Sequence, residues 1–372
     1  MILFMTTTMS MAQKASKAPY KIGGIFELTG YLSWVGEYKK KAAELEVDLI
    51  NKAGGVNGHP LILISYDDNS SPEQATKVTQ RLISKDGVIA MMGTSSVPIS
   101  GAVASMANRY KIPALISSGY EVDASKDPYV FNTAHKTDFA VMCGFQYFQK
   151  KGITKLALLM PIGPLGELGS NIARKYAADY KITIVGEEKF DVKAPDVTAQ
   201  LAKVRTMNPQ AIFSFSTGEP PALIARNMDQ LNFKVPLLVS HGNATPGFLK
   251  LVSNIRTELL IPTGKAVKPE SLPDSDPTKK IILDFSKKHM ERFNEPANYF
   301  SAQLYDPVII IAEALKKVGK ADPVKLRDAI EGLKNFPGMM GIYNFTPNDH
   351  HGTRAEDMIL VTVKDGKWET PN

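Results

Sequence analysis

Cysteine is almost missing from this sequence: Cys143 is the only one in 372 residues. That excludes an intrachain disulfide framework and a cysteine-ligated zinc. Histidines are few and scattered: His59, His135, His241, His289, His350 and His351. Only the last two are neighbours, and adjacent residues point different ways on any regular element. They read as a solvated loop rather than a metal site. No GxxxxGK(S/T) loop, HExxH, GxSxG elbow or CxxC is present. The glycines of Gly163–Gly169 miss the dinucleotide spacing, and Pro164 breaks the turn. Catalysis, a metal and a cofactor are therefore not expected. Long apolar runs are absent too; none approaches the ~20 residues that span a bilayer. Charge of one sign is not in excess enough to matter: 44 Lys+Arg stand against 38 Asp+Glu. With no basic stripe interleaved with aromatics, a nucleic-acid partner is not expected. Lys39-Lys40-Lys41 and Lys279-Lys280 read as solvated helix faces.

What is there is ordinary globular material, 44% apolar and 22% charged. A single core stops growing near ~250–300 residues, so two domains are expected. Met1–Ala12 carries no charged side chain, and Ser10 and Ala12 suit a peptidase site before Gln13. It reads as a residual export signal or a disordered start, and residues 1–18 are set aside on that basis.

From Tyr20 onward, strand and helix patterns alternate. The strands are Lys21–Phe26, Leu61–Tyr66, Val88–Met92, Ala114–Ser117, Lys155–Met160, Ile182–Glu187, Ala211–Phe215, Pro236–Ser240 and Leu259–Pro262, closed by Gly341–Phe345 and Met358–Val363. Helices fill the gaps. Ser71-Pro72 caps one, and three more run over Pro277–Phe293, Tyr305–Val318 and Pro323–Leu333. Alternation on this scale predicts α/β architecture with parallel sheets covered on both faces. The units are too many for one open sheet, so two doubly wound lobes are predicted.

Open parallel sheets take ligands beyond the carboxyl ends of their strands. The loops there are Glu27–Trp34, Gly93–Ser96 and Ser117–Glu121. They supply hydroxyls, free N–H groups and helix N-termini, which suit a small anion or polar head group. Singly, each Ser or Thr is a helix cap; together the three loops point to a site. Trp34 and Tyr120 would supply apolar walls.

The segment Ile50–Gly58 (INKAGGVNG) resembles the signature of branched-chain amino-acid-type solute-binding proteins, which serve ATP-binding-cassette importers. Leu28-Thr29-Gly30, Asp67–Pro72, Pro128–Thr133 and Tyr305-Asp306 resemble further family motifs. The resemblance implies the type I periplasmic-binding fold, with lobes joined by three crossings near His135–Asp138, Pro262 and Phe345. Lobe 1 is expected over residues 19–136 and 263–345, and lobe 2 over 137–262 and 346–372. A small ligand would sit between the lobes, and closure would present it to an importer permease. A monomer in the periplasm or another extracytoplasmic space is expected, with no cofactor.

Mapped residue by residue, the family's ligand-carboxylate Ser falls on Ser96, beside Ser95 and Ser117. Its small-residue-plus-Thr turn falls on Gly119, Tyr120 and Glu121, so an acid stands where Thr would be. A carboxylate beside a bound carboxylate is costly unless one is protonated or paired. The second lobe's Tyr-Gly becomes Leu165-Gly166. The acid that would meet a ligand ammonium has no match in His241–Ala244. An aromatic or aliphatic organic acid is therefore expected rather than a standard amino acid, with Trp34, Tyr120 and Leu165 as apolar contacts. Ser95 and Ser96 would meet its polar end. Glu121 could instead accept from a hydroxyl or amide, so an amide, a urea or an amino acid held by a sensor or receptor of the same fold is the alternative.

Overall fold

A computed structural model describes residues 17–372. The export-signal expectation for Met1–Ala12 lies outside the described residues. The chain opens with β1 (Tyr20–Phe26), α1 (Ser33–Lys52), β2 (Leu61–Asp67), α2 (Pro72–Arg81), β3 (Ala90–Gly93), α3 (Val97–Tyr110), β4 (Ala114–Ile116) and β5 (Val130–Asn132). These five strands form one parallel sheet in the order β2-β1-β3-β4-β5. Side chains alternate across it. Ile22, Phe26, Met92 and Leu115 enter one core, and Ile25, Met91, Ala114 and Ile116 enter another under α2 and α3.

The pattern then restarts with α4 (Thr137–Lys150), β6 (Lys155–Pro161), α5 (Pro164–Tyr176), β7 (Thr183–Phe190), α6 (Thr198–Thr206), β8 (Ala211–Ser214), α7 (Glu219–Gln230), β9 (Leu237–Val239), α8 (Pro246–Val252) and β10 (Leu259–Gly264). The order β7-β6-β8-β9-β10 repeats the first sheet's winding. Both lobes therefore have their topological switch beside their own first strand, where a crevice opens at the strand ends.

Helices α9 (Pro277–Phe293), α10 (Tyr299–Val318) and α11 (Pro323–Glu331) return to the first core, against α1. A two-stranded ribbon, β11 (Phe336–Pro337) with β12 (Ile342–Tyr343), follows. The strands β13 (Met358–Lys364) and β14 (Lys367–Glu369) add antiparallel pairs to the second sheet, so that sheet is mixed rather than wholly parallel. The chain thus passes between the lobes three times: after β5, after β10 and after β12. These passages are tied to one another. His135 Nε2 lies 2.8 Å from Met340 O, and Lys265 Nζ lies 3.8 Å from Asp357 Oδ1.

Two expectations are corrected. His350 and His351 are buried, not solvated. His350 stacks on Phe131 with 4.2 Å between ring centroids and meets Val130 O and Glu331. His351 Nε2 accepts from Val122 N at 3.2 Å. Lys39 is fully buried as well, because a rotation of 100° per residue turns it inward while Lys40 and Lys41 stay at the helix flank.

Candidate functional site

A cavity of about 190 Å³ lies at the strand ends of both sheets. The first lobe supplies Leu32, Trp34, Val35 and Lys39 from around the start of α1, and Ser95, Ser117, Ser118 and Gly119 from the loops after β3 and β4. Tyr299, Phe300 and Gln303 come from the first turns of α10. Ala134 and His135 come from the first crossing, and Thr217, His241 and Gly242 from the second lobe. Trp34 meets Phe300 edge-on at 5.3 Å, and Phe300 meets Tyr299 at 5.6 Å, so one wall is aromatic.

Behind the wall at Lys39 lies a buried charge cluster that also holds Glu27 and Asp68. Lys39 Nζ donates to Thr94 O and Ser117 O, both at 2.7 Å. This tethers Thr94 in a left-handed conformation, φ 66°, that a β-branched residue rarely adopts. Burial, partly offset by Glu27 and Asp68, brings Lys39 down to about 8. Burial and the neighbouring Glu27 push Asp68 up to about 7. Glu27 accepts from Ser95 N at 2.5 Å and from Ser95 Oγ at 2.7 Å. Both donors of Ser95 are therefore taken by an internal carboxylate.

Pro307 lies inside α10. It has no N–H, so the carbonyl four residues back, Gln303 O, loses its helical donor. Ser117 Oγ takes that place, donating to Gln303 O at 2.9 Å. A helix interruption thus binds α10 to the loop after β4. On the other lobe Asn243 does the clamping. Its Oδ1 accepts from Gly218 N at 2.9 Å, and its Nδ2 donates to Ser216 O at 2.8 Å. That brings Thr217 against Gly242, the residue after His241.

Of the residues singled out from sequence, Trp34, Ser95, Ser117, Gly119 and His241 line the cavity. The other five stand elsewhere. Tyr120 turns toward α3 and bonds Asp127 Oδ2 at 3.1 Å. The Glu121 side chain is 66% exposed, 3.5 Å from His351 Nε2, so it exerts no close repulsion on the cavity. Leu165 is exposed in the first turn of α5. Gly166 is a packing glycine: a Cβ there would lie 1.9 Å from Pro161 O. Ser96 precedes α3 without capping it, and its Oγ has no partner.

Sequence reasoning missed Lys39, His135, Thr217, Tyr299, Phe300 and Gln303. The last three had a readable signal. Asn298 caps α10, accepting from Phe300 N and Ser301 N. Among the described residues, His135 Nδ1, His241 Nδ1, the Tyr299 hydroxyl and Gln303 Oε1 also have no hydrogen-bond partner. Each such orphan costs about 1–3 kcal/mol unless something fills it. Their clustering at one cavity makes it the candidate binding site. Among the described residues no cluster of His, Cys, Asp and Glu could hold a metal, and no helix is long and apolar enough to cross a membrane.

A family model described as periplasmic binding protein matches residues 19–367. A leucine-, isoleucine-, valine-, threonine- and alanine-binding protein of Pseudomonas aeruginosa is 23% identical over 313 residues, covering 82% of this chain and 79% of its own. A Leu/Ile/Val-binding protein homolog 4 of Brucella suis is 24% identical over 368 residues, covering 91% and 83%. Among solved structures, an extracellular ligand-binding receptor from Rhodopseudomonas palustris superimposes with a TM-score of 0.83 at 24% identity, over 95% of this chain and 99% of that one. The substrate-binding protein LivJ of Streptococcus pneumoniae, in complex with isoleucine, gives 0.78 at 23% identity, over 95% and 98%.

Proposed function

The chain belongs to the periplasmic binding protein family, and on that premise we propose that it captures a small organic acid between its lobes and delivers it to an importer permease. Its relatives are solute-binding proteins rather than enzymes. The family works outside the cytoplasm, and this chain works there as a monomer. One observation carries the ligand class. Among the described residues, Lys39 is the only charged side chain on the cavity wall; no Asp or Glu lines it. An α-amino acid would bring an ammonium with no carboxylate on the wall to meet it, since Ser95 N and Oγ take up the Glu27 carboxylate behind it, and burying an unpaired charge is expensive. A monoanion finds Lys39 beneath it. The size also fits, since a cavity of ~150 Å³ holds a benzene ring.

The names of the relatives favour a second reading, in which the ligand is an aliphatic amino acid. A thermal-shift screen separates the two. Aromatic and aliphatic carboxylates should raise the melting temperature by several degrees at millimolar concentration, while leucine and valine leave it unchanged. Stabilisation by leucine or valine alone would reject the acid reading.

A further inference from the structure

Unused hydrogen-bonding capacity collects at one end of the cavity, beside the first crossing. His135 is 3% exposed, and its Nε2 faces Met340 O at 2.8 Å. A carbonyl only accepts, so Nε2 carries the hydrogen and Nδ1 is a bare lone pair. No donor reaches it among the described residues. Burial keeps the ring neutral, its pKa brought down to about 3. Gln303 is 5% exposed, and its Oε1 is another acceptor without a donor. Tyr299 stands between the two lobes' imidazoles, 6.1 Å from His135 and 5.9 Å from His241 by ring centroids. The unpartnered Tyr299 hydroxyl makes no hydrogen bond to either acceptor, and two other nearby hydroxyls are already committed. Ser95 gives its hydrogen to Glu27, and Ser117 gives its hydrogen to Gln303 O.

We infer that the ligand carries a neutral hydrogen-bond donor, a hydroxyl or an amide N–H, at the end that reaches His135 and Gln303. This rests on the organic-acid reading and adds the group at the ligand's other end. An ammonium would also donate, but no carboxylate lines that end to offset its desolvation. A hydroxyl supplies a hydrogen at lower desolvation cost, and it takes back a bond from Tyr299. The ligand is then a carboxylate and a hydroxyl or amide held apart by a compact apolar body against Trp34 and Phe300.

Calorimetric titration of the wild-type protein tests this with benzoate, its three monohydroxy isomers and the three matching methyl ethers, with leucine alongside. At least one hydroxy isomer should bind about tenfold more tightly than both benzoate and its own ether. Gln303→Met and His135→Phe, checked for folding by circular dichroism, should each shrink that ratio to about twofold. Equal affinity across the series, as when a trapped water satisfies both acceptors, would overturn the inference while leaving the acid reading intact. A ratio that persists in both variants would overturn the assignment to these residues. Binding of leucine with no binding of any acid would overturn both readings, as would silence from the whole panel.

Discussion

Lys39 shows how one residue can hold a site together. Its ammonium joins the loops after β3 and β4 by their carbonyls, Thr94 O and Ser117 O. Lys39→Met keeps the stem and deletes the charge. It leaves both carbonyls unpaired and Glu27 and Asp68 without their nearest cation. The expected loss is about 3–5 kcal/mol by chemical denaturation, with ligand affinity falling alongside; a loss below about 1 kcal/mol would contradict this role. His351 offers a pH test. Burial first, and Lys136 second, brings its pKa down to about 4 from the ordinary histidine value near 6.5. Above pH 6.5 neither folded nor unfolded chains protonate it, and its contribution is complete. Between pH 6.5 and 4 the unfolded chain takes up a proton that the folded one refuses, so stability falls. Against His351→Gln, which cannot titrate, the wild type should lose on the order of 3 kcal/mol from pH 7 to 4. Parallel curves for the two proteins would refute it. Neither residue was legible in the sequence. Lys39 sits in a lysine run, and burial of a lysine depends on distant carbonyls that no local pattern reveals. Trp34, Ser95 and His241 were legible because strand-end loops announce themselves.

At the scale of the element, α10 is the instructive case. The apolar stripe Val308, Ile311, Ala312 and Leu315 predicts a helix only over Tyr305–Val318. The helix begins instead at Tyr299 behind Asn298 and carries Pro307 in its interior. Six residues were lost from the reading, Tyr299, Phe300 and Gln303 among them. The short strand β5 escaped because three residues show no periodicity. α8 escaped although Thr245 caps Phe248 N before Pro246. Pro307→Ala gives Gln303 O its helical donor back, in competition with Ser117. Helix propensity should hold thermal stability level or raise it, while ligand affinity drops several-fold as the Ser117 loop loosens. Unchanged affinity in calorimetry would show that the proline does not shape the site.

For the whole molecule, strand-helix alternation made two doubly wound lobes legible, and the short motifs made the three crossings legible. Alternation could not tell that α9 to α11 would cover the first sheet, since that depends on packing against α1. The cavity wall draws on both lobes, with Thr217, His241 and Gly242 facing the first lobe's residues. A ligand touching both lobes favours the closed arrangement by its differential affinity. Small-angle scattering should therefore show a smaller radius of gyration with a bound acid than without, and identical curves would argue against closure. The most direct test of the account is mass spectrometry of whatever small molecule is released when protein purified from its native host is denatured. A compact carboxylic acid without an amine is the predicted species; leucine, isoleucine or valine would contradict it.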